Sequence, residues 1–169
     1  MEPIKISAPF SRETARSLKA GDSVLISGTI YTARDAAHKR LVSEETIPFD
    51  IENAVIYYAG PAPAPPEKPI GSCGPTTSGR MDAYAPTLIA RGQTGMIGKG
   101  ERNTEVVEAM KTHGAVYLGA IGGAGALISK CITAAEVIAY DDLCTEAVRK
   151  LTVKDFPAVV MIDAEGRRI

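Results

Sequence analysis

The chain has 169 residues, 45% of them apolar and 23% charged, with 19 basic residues against 20 acidic ones and a net charge of −1. Such a length suits one domain over 1–169 with a core of its own, and the charge balance excludes a general nucleic-acid binder, which carries a basic excess. With no Trp and only 3 Phe, a base-stacking platform is excluded too.

The first residues hold Glu2, Pro3 and Lys5 in place of an apolar leader. Ser11 reads as the cap of a short helix to Leu18, closed by Ala20-Gly21-Asp22. Ser23 to Tyr31 is β-branched and alternating, hence a strand. Asp35 reads as the N-cap of a helix through Val42, built on Ala36, Ala37, Lys39, Arg40 and Leu41. Ala54 to Tyr58 is a short apolar strand, and the Pro-rich stretch 61–69 is an extended connector that cannot pair inside a sheet. After the loop Gly71–Asp82, a helix is expected from Arg80 to Arg91, kinked or divided by Pro86 and stopped at Gly92. Gly95 to Lys99 is a strand, and Thr104 to His113 a helix capped by Asn103 or Thr104 and ended by Gly114. Ala115 to Leu118, Glu136 to Tyr140, Leu151 to Lys154 and Ala158 to Ile162 are the remaining strands, with a turn at Asp163–Gly166. The longest apolar run, 115–128, is short for a membrane span and holds Gly119, Gly122, Gly123 and Gly125. A soluble, cytoplasmic protein of layered α/β type with a mixed sheet is expected.

The most informative segment is Gly71–Asp82, Gly-Ser-Cys-Gly-Pro-Thr-Thr-Ser-Gly-Arg-Met-Asp. A Pro-stiffened turn presents Thr76, Thr77 and Ser78 together, followed by Arg80. The loop leads into a helix N-terminus, whose N–H groups and partial positive charge, with Arg80 in the first turn, make a carboxylate or phosphate site. Capping alone needs one hydroxyl and no arginine. Asp82 and Met81 read as supports for loop and core. Arg34 falls where a strand end meets a helix start, the usual place for ligand groups in α/β folds; taken alone it also suits a solvated or ion-paired surface residue, and His38, one turn on, suits a structural role more than a functional one. Lys99, between Gly98 and Gly100, is either a ligand group or an ordinary turn lysine. The Gly119–Gly125 stretch has GxxGGxG spacing, unlike a dinucleotide fingerprint, and reads as backbone packed on backbone. Cys73, Cys131 and Cys144 are widely spaced with no CxxC, so they read as thiols and not as a zinc or iron–sulfur site made by this chain. Two arginines and a lysine suit a dicarboxylate. No acidic pair, His set or nucleophile elbow accompanies them, the pattern of half an active site.

Those residues are similar to a known family. The stretches Gly28–His38, Gly71–Asp82, Ile97–Gly100, Gly119–Gly125 and Asp155–Asp163 resemble the β subunit, or C-terminal domain, of class I iron–sulfur-dependent fumarate hydratases and the related tartrate dehydratase β subunit. The resemblance covers essentially the whole chain, and the GPTTSGRMD string is its most specific part. It implies a swivelling β/β/α three-layer domain that works with an α subunit, whose [4Fe–4S] cluster acts as Lewis acid in the reversible hydration of fumarate to S-malate. By the same resemblance Arg34, Thr77, Arg80 and Lys99 would bind the substrate, and Thr76 would stand at the reacting carbons as base or orienting hydroxyl. Gly79 and Asp82 match the fumarase form; in the tartrate form a bulkier residue follows the Ser and Glu replaces the Asp. The β subunit of an L-tartrate dehydratase or of a mesaconate-directed enzyme and, from another class, a non-catalytic anion-binding domain are the alternatives.

Overall fold

A computed structural model describes residues 2–120 and 125–169. Its strands are β1 (Ile4–Ala8), β2 (Ser23–Thr32), β3 (Val55–Tyr57), β4 (Gly95–Gly98), β5 (Val116–Ala120), β6 (Ile132–Ala139) and β7 (Val148–Ile162). Its helices are α1 (Arg12–Ser17), α2 (Asp35–Ser43), α3 (Ala85–Arg91), α4 (Thr104–His113) and α5 (Gly125–Ser129), with 3-10 turns at Ser78–Met81 and Asp141–Glu146. The sheet order is β1-β2-β3-β4-β5-β7-β6, and β7 also pairs with β2. That extra pairing closes β2, β3, β4, β5 and β7 into a barrel-like circuit. Strands β1 to β5 run parallel to their neighbours, whereas β7 is antiparallel to β2, β5 and β6.

Side-chain alternation explains the layering. Successive residues of a strand face opposite sides, and in β3, β4 and β5 both sides are apolar. Val55, Tyr57, Ile97, Val116 and Leu118 point into one core with Ile26 and Ile30 of β2 and Val153, Phe156 and Val160 of β7. Ile56, Tyr58, Met96 and Tyr117 point the other way, onto Ala37 and Leu41 of α2, Leu88 and Ile89 of α3, and Val106 and Met110 of α4. The first core lies between two walls of the sheet and the second between the sheet and its helices. This is the expected three-layer β/β/α arrangement.

Several local expectations need correction. Strand β1 was not anticipated; it pairs in register with β2 from Ile4↔Val24 to Ala8↔Gly28. A Cβ at Gly28 would collide with the Ala8 carbonyl, and Gly28 has φ +119°, so glycine is required there. Strand β6 starts four residues earlier than Glu136, at Ile132, and β7 is one continuous strand from Val148 to Ile162. The expected break near Lys154–Pro157 is a β-bulge. Between the Ile26↔Phe156 and Gly28↔Val153 pairs the register shifts, Asp155 adopts φ +50°, and its N–H is taken by Ser27 Oγ at 3.0 Å. Pro157 sits just past that irregularity, where a missing donor is tolerated.

The expected helix from Arg80 is absent. Ser78–Met81 is a single 3-10 turn, and α3 begins only at Ala85 with Pro86 in its first turn. Pro86 therefore starts a helix and does not kink one, because the first-turn N–H groups have no intrahelical partner to lose. For α2 the N-cap is Arg34, with Asp35 as the first helical residue. The caps of α1 (Ser11, bonded to Thr14 N–H) and α4 (Asn103, bonded to Val106 N–H, with left-handed Gly114 at the end) are as expected. Among the described residues no helix is long and apolar enough to cross a membrane.

Phe156 is fully buried, its ring edge-on to Tyr57 at 5.2 Å. Phe156→Ala is expected to lower unfolding free energy by about 3–5 kcal/mol, read from urea unfolding; a loss under about 1 kcal/mol would mean the inner core does not depend on this ring.

Candidate active site

The C-terminal ends of the parallel strands β2, β3 and β4 lie side by side, and each feeds a candidate residue into the same edge. Past Thr32 of β2 the ladder continues through Ala33 N–H to Tyr57 O at 3.2 Å, and Arg34 follows at the N-cap of α2. Past β3, Tyr58 N–H bonds Ile97 O at 2.8 Å, and Tyr58 O accepts Thr76 N–H at 2.7 Å. Past β4, Lys99 forms a parallel bridge with Thr77, and its carbonyl accepts Ser78 N–H at 2.8 Å. Arg34, Thr76, Thr77 and Lys99 are thus brought together by backbone hydrogen bonds. Gly60, just past β3, lies directly under Arg34: a Cβ there would come within 2.6 Å of Nη1 and 3.1 Å of Cδ.

The chain leaves β3 and returns to the edge through the Pro-rich connector. Ala62 N–H bonds Ser72 O at 2.8 Å and Gly71 N–H bonds Ala62 O at 3.2 Å, which closes the connector into a loop. The buried Tyr57 hydroxyl donates to Cys73 O at 2.6 Å. Cys73 N–H bonds Gly125 O at 3.2 Å, and a Cβ at Gly125 would meet Gly74 N at 2.6 Å. Gly125 is therefore packed against the backbone of Cys73 and Gly74 and the Ser72 hydroxyl, whereas Gly119 faces the Met161 side chain and not a backbone. Gly122 and Gly123 lie outside the described residues. Burial pushes the Cys73 thiol up to about 12, so it is a neutral thiol under the loop.

The three hydroxyls that look equivalent in sequence have different surroundings. Ser78 is buried and shares a 2.8 Å hydrogen bond with the Tyr117 hydroxyl, which also donates to Gly100 O at 2.9 Å. A Cβ at Gly98 would occupy the place of Ser78 Oγ, so that glycine makes room for the loop. Thr76 is half-buried and Thr77 exposed. Arg80 rides on the same 3-10 turn, exposed, and like exposed Lys99 has no acidic partner among the described residues. No α-helix starts at the turn, so Arg80 is not reinforced there by a helix N-terminus.

The loop is fixed at its far end by a residue that sequence reasoning missed. Arg102 has no exposed side-chain surface; its Nε donates to Asp82 Oδ1 at 2.7 Å and its Nη2 to the Tyr58 hydroxyl at 3.2 Å. Its guanidinium also lies over the rings of Tyr58 and Tyr117, at 5.1 and 4.9 Å from their centroids. Asp82 Oδ2 accepts Asn103 N–H at 2.8 Å, so one carboxylate joins the loop to the start of α4. In sequence Glu101-Arg102-Asn103 resembles any charged turn; only the Asn103 cap hinted that the chain is ordered there.

His38 is fully buried, with its Nδ1–H on Arg34 O at 2.9 Å, its ring edge-on to Tyr58, and Nε2 without a partner. Burial, and secondarily the Arg102 charge, lowers its pKa from 6.5 to about 4, against the raising effect of that backbone bond and of Asp35. Because the folded state holds this proton less tightly than the unfolded chain, stability is complete above pH 6.5 and falls as pH drops towards about 4. The fall is expected to total roughly 3 kcal/mol and to flatten in His38→Gln, measured as urea unfolding between pH 7 and 4; an unchanged slope would assign acid lability to other groups. Arg102→Ala leaves the largely buried Asp82 carboxylate with no counter-charge, held by Asn103 N–H alone, and the buried Tyr58 hydroxyl without its partner, and is expected to cost about 3–5 kcal/mol. Arg102→Lys should recover little, since an ammonium cannot serve both partners and both rings; recovery of wild-type stability by lysine would refute this account.

The class I aerobic fumarate hydratase of Escherichia coli K12 is 43% identical over 147 residues, which cover 83% of this chain and 27% of that protein. Fumarate hydratase 2 of Leishmania major is 38% identical over 161 residues, covering 92% of this chain and 28% of that protein. This chain thus spans about a quarter of the length of these relatives. A Methanocaldococcus jannaschii protein, provisionally named the L(+)-tartrate dehydratase subunit beta, is 35% identical over 174 residues, covering 95% of this chain and 87% of that protein. The profile of the family described as Fumarase C-terminus matches residues 1–169, and the chain belongs to that family.

Proposed function

We propose that the chain is the β subunit, or C-terminal part, of a class I fumarate hydratase, completed by an α subunit. The reaction is reversible addition of water across fumarate, hydroxyl to one carbon and proton to its neighbour, giving S-malate. The observation that carries this reading is the meeting of Arg34, Thr76, Thr77 and Lys99 at one edge of β2, β3 and β4. Neighbouring strands stand about 4.8 Å apart, so cations past β2 and β4 can reach the two ends of a four-carbon diacid.

The cysteines of this chain do not fit a cluster site. Cys73 is buried as a neutral thiol, Cys131 is half-buried and Cys144 exposed. Among the described residues no group of three or more His, Cys, Asp and Glu is placed to hold a metal ion. The [4Fe–4S] cluster therefore belongs to the partner in this proposal, and the work of this chain is grip and orientation. Arg34, Arg80 and Lys99 bind the carboxylates, the arginines through paired N–H donors and the lysine as a point charge. Thr77 adds a hydroxyl contact. Thr76, anchored by its N–H to Tyr58 O, presents its hydroxyl to the reacting carbons. A free threonine hydroxyl titrates far above neutrality, so orientation of the substrate or of a proton in transit is the more economical role.

The relationship to a tartrate dehydratase subunit supports a second substrate reading. By the resemblance, Gly79 and Asp82 match the fumarate form. A side chain at Gly79 would meet nothing within 4 Å, so the fold of this chain does not require glycine there and the space remains for a substrate or partner. Asp82 spans Arg102 and Asn103 N–H at 2.7 and 2.8 Å, a reach that one more methylene would disturb.

Anaerobic capture of the tagged chain from its native host, then assay with S-malate, tartrate and mesaconate, tests the proposal. Co-purified iron and sulfide with malate dehydration is the expected result; an iron-free, inert chain from cells with active fumarase would favour a binding domain. In the assembled enzyme Arg80→Ala is expected to lower kcat/KM at least about 100-fold, close to 3 kcal/mol, with unchanged Tm. An unaltered rate would remove Arg80 from the site.

A further inference from the structure

Arg34 is an unusual residue to find at a helix N-cap. That position favours short side chains whose oxygen accepts an N–H of the first turn, and Arg34 makes no such bond. The missing acceptor arrives from 110 residues away: Glu146 Oε1 accepts Ala36 N–H at 3.3 Å. The same oxygen stands 3.7 Å from Arg34 Nε. That nitrogen is buried and has no hydrogen-bond partner of its own. On its other side the Arg34 side chain lies against Gly60, with no room for a Cβ.

Glu146 is itself held in place. It ends the 3-10 segment Asp141–Glu146, which is fastened along α2 by the Arg40–Asp142 pair at 2.8 and 2.6 Å and by the Tyr140 hydroxyl on Glu44 at 2.9 Å. From below, Arg149 donates to the carbonyls of Cys144 and Thr145, each at 3.2 Å. We propose that Glu146 is a positioning residue for Arg34: it caps α2 in place of Arg34 and holds the Nε edge of the guanidinium, leaving the paired Nη edge for a substrate carboxylate.

This inference rests on the reading of Arg34 as a carboxylate clamp. The sign of the effect separates three roles for Glu146. A carboxylate that merely competes for Arg34 would weaken substrate binding, so its removal would lower KM. One that merely caps the helix would affect Tm and leave KM alone. A positioning residue raises KM when lost, and only while Arg34 is present.

The experiment is a double-mutant cycle in the assembled enzyme, with KM for S-malate and Tm measured for Glu146→Ala, Arg34→Ala and the pair. The expected result is a KM about tenfold higher in Glu146→Ala, a larger rise in Arg34→Ala, and no further rise in the double variant. Glu146→Gln, which keeps an acceptor for Ala36 N–H, should return KM to within about threefold of wild type. An unchanged or lowered KM in Glu146→Ala, or fully additive effects, would overturn the inference. Should Glu146→Ala fail to fold, Glu146→Asp takes its place, with the carboxylate drawn back by one methylene; an unchanged KM there overturns it equally. A wild-type KM in Arg34→Ala would instead sink the clamp reading on which it stands.

Discussion

The buried ion pair between Arg102 and Asp82 is the constraint on which the candidate site depends. Removing both charges from water is costly, and such a pair contributes little to stability compared with apolar packing of the same volume. What it supplies is position. Asp82 closes the Gly71–Asp82 loop, and Arg102 ends the turn that leads from β4 to the Asn103 cap of α4, so their contact at 2.7 Å fixes one against the other. Further contacts hold the pair in place: Asn103 N–H on the second carboxylate oxygen, the Tyr58 hydroxyl on the guanidinium, and the Tyr58 and Tyr117 rings over its faces. Between this pair and the Thr76–Tyr58 bond at the other end, Ser78 and Tyr117 draw the middle of the loop onto Gly100. The loop is irregular in conformation yet held at three points by buried groups.

Much of the fold was legible because β3, β4 and β5 carry apolar residues on both faces, which marks strands covered on two sides. Capping chemistry located α1 and α4 for the same local reasons that form them. What escaped the sequence was non-local. The bulge at Asp155 and the register it sets with Ser27 depend on β2, more than a hundred residues away, so a Pro and a charge there read as a break. The segment after Arg80 has helical composition, but Asp82 is taken by Arg102 and the chain must turn before a helix can start. Composition cannot reveal that commitment.

The site divides along the same line. Residue type and local context exposed the candidates: Arg34 where a strand end meets a helix start, the usual place for ligand groups in α/β folds, Thr76 and Arg80 in the hydroxyl-rich loop, and Lys99 between two glycines. The groups that hold them were invisible: Glu146, Arg102, Tyr117 and Gly60 are ordinary letters until the topology brings them close. Ser78 was read with the threonines but is structural, since its hydroxyl is buried on Tyr117. A run of identical chemistry in sequence therefore does not imply a shared role.

On the proposed function, the openness of this edge has a consequence for how the two subunits share the work. Arg80 and Lys99 are exposed, and a charge pair at a few ångströms is worth little in water compared with a protein interior. The edge alone would hold a small diacid weakly. A partner laid over it would exclude water and strengthen the same contacts without moving any of the residues that make them. The rigidity supplied by Arg102, Asp82 and Tyr117 then acquires a purpose: a site completed by a second surface must keep its geometry while it is still half open, and buried anchors beneath an exposed rim achieve that.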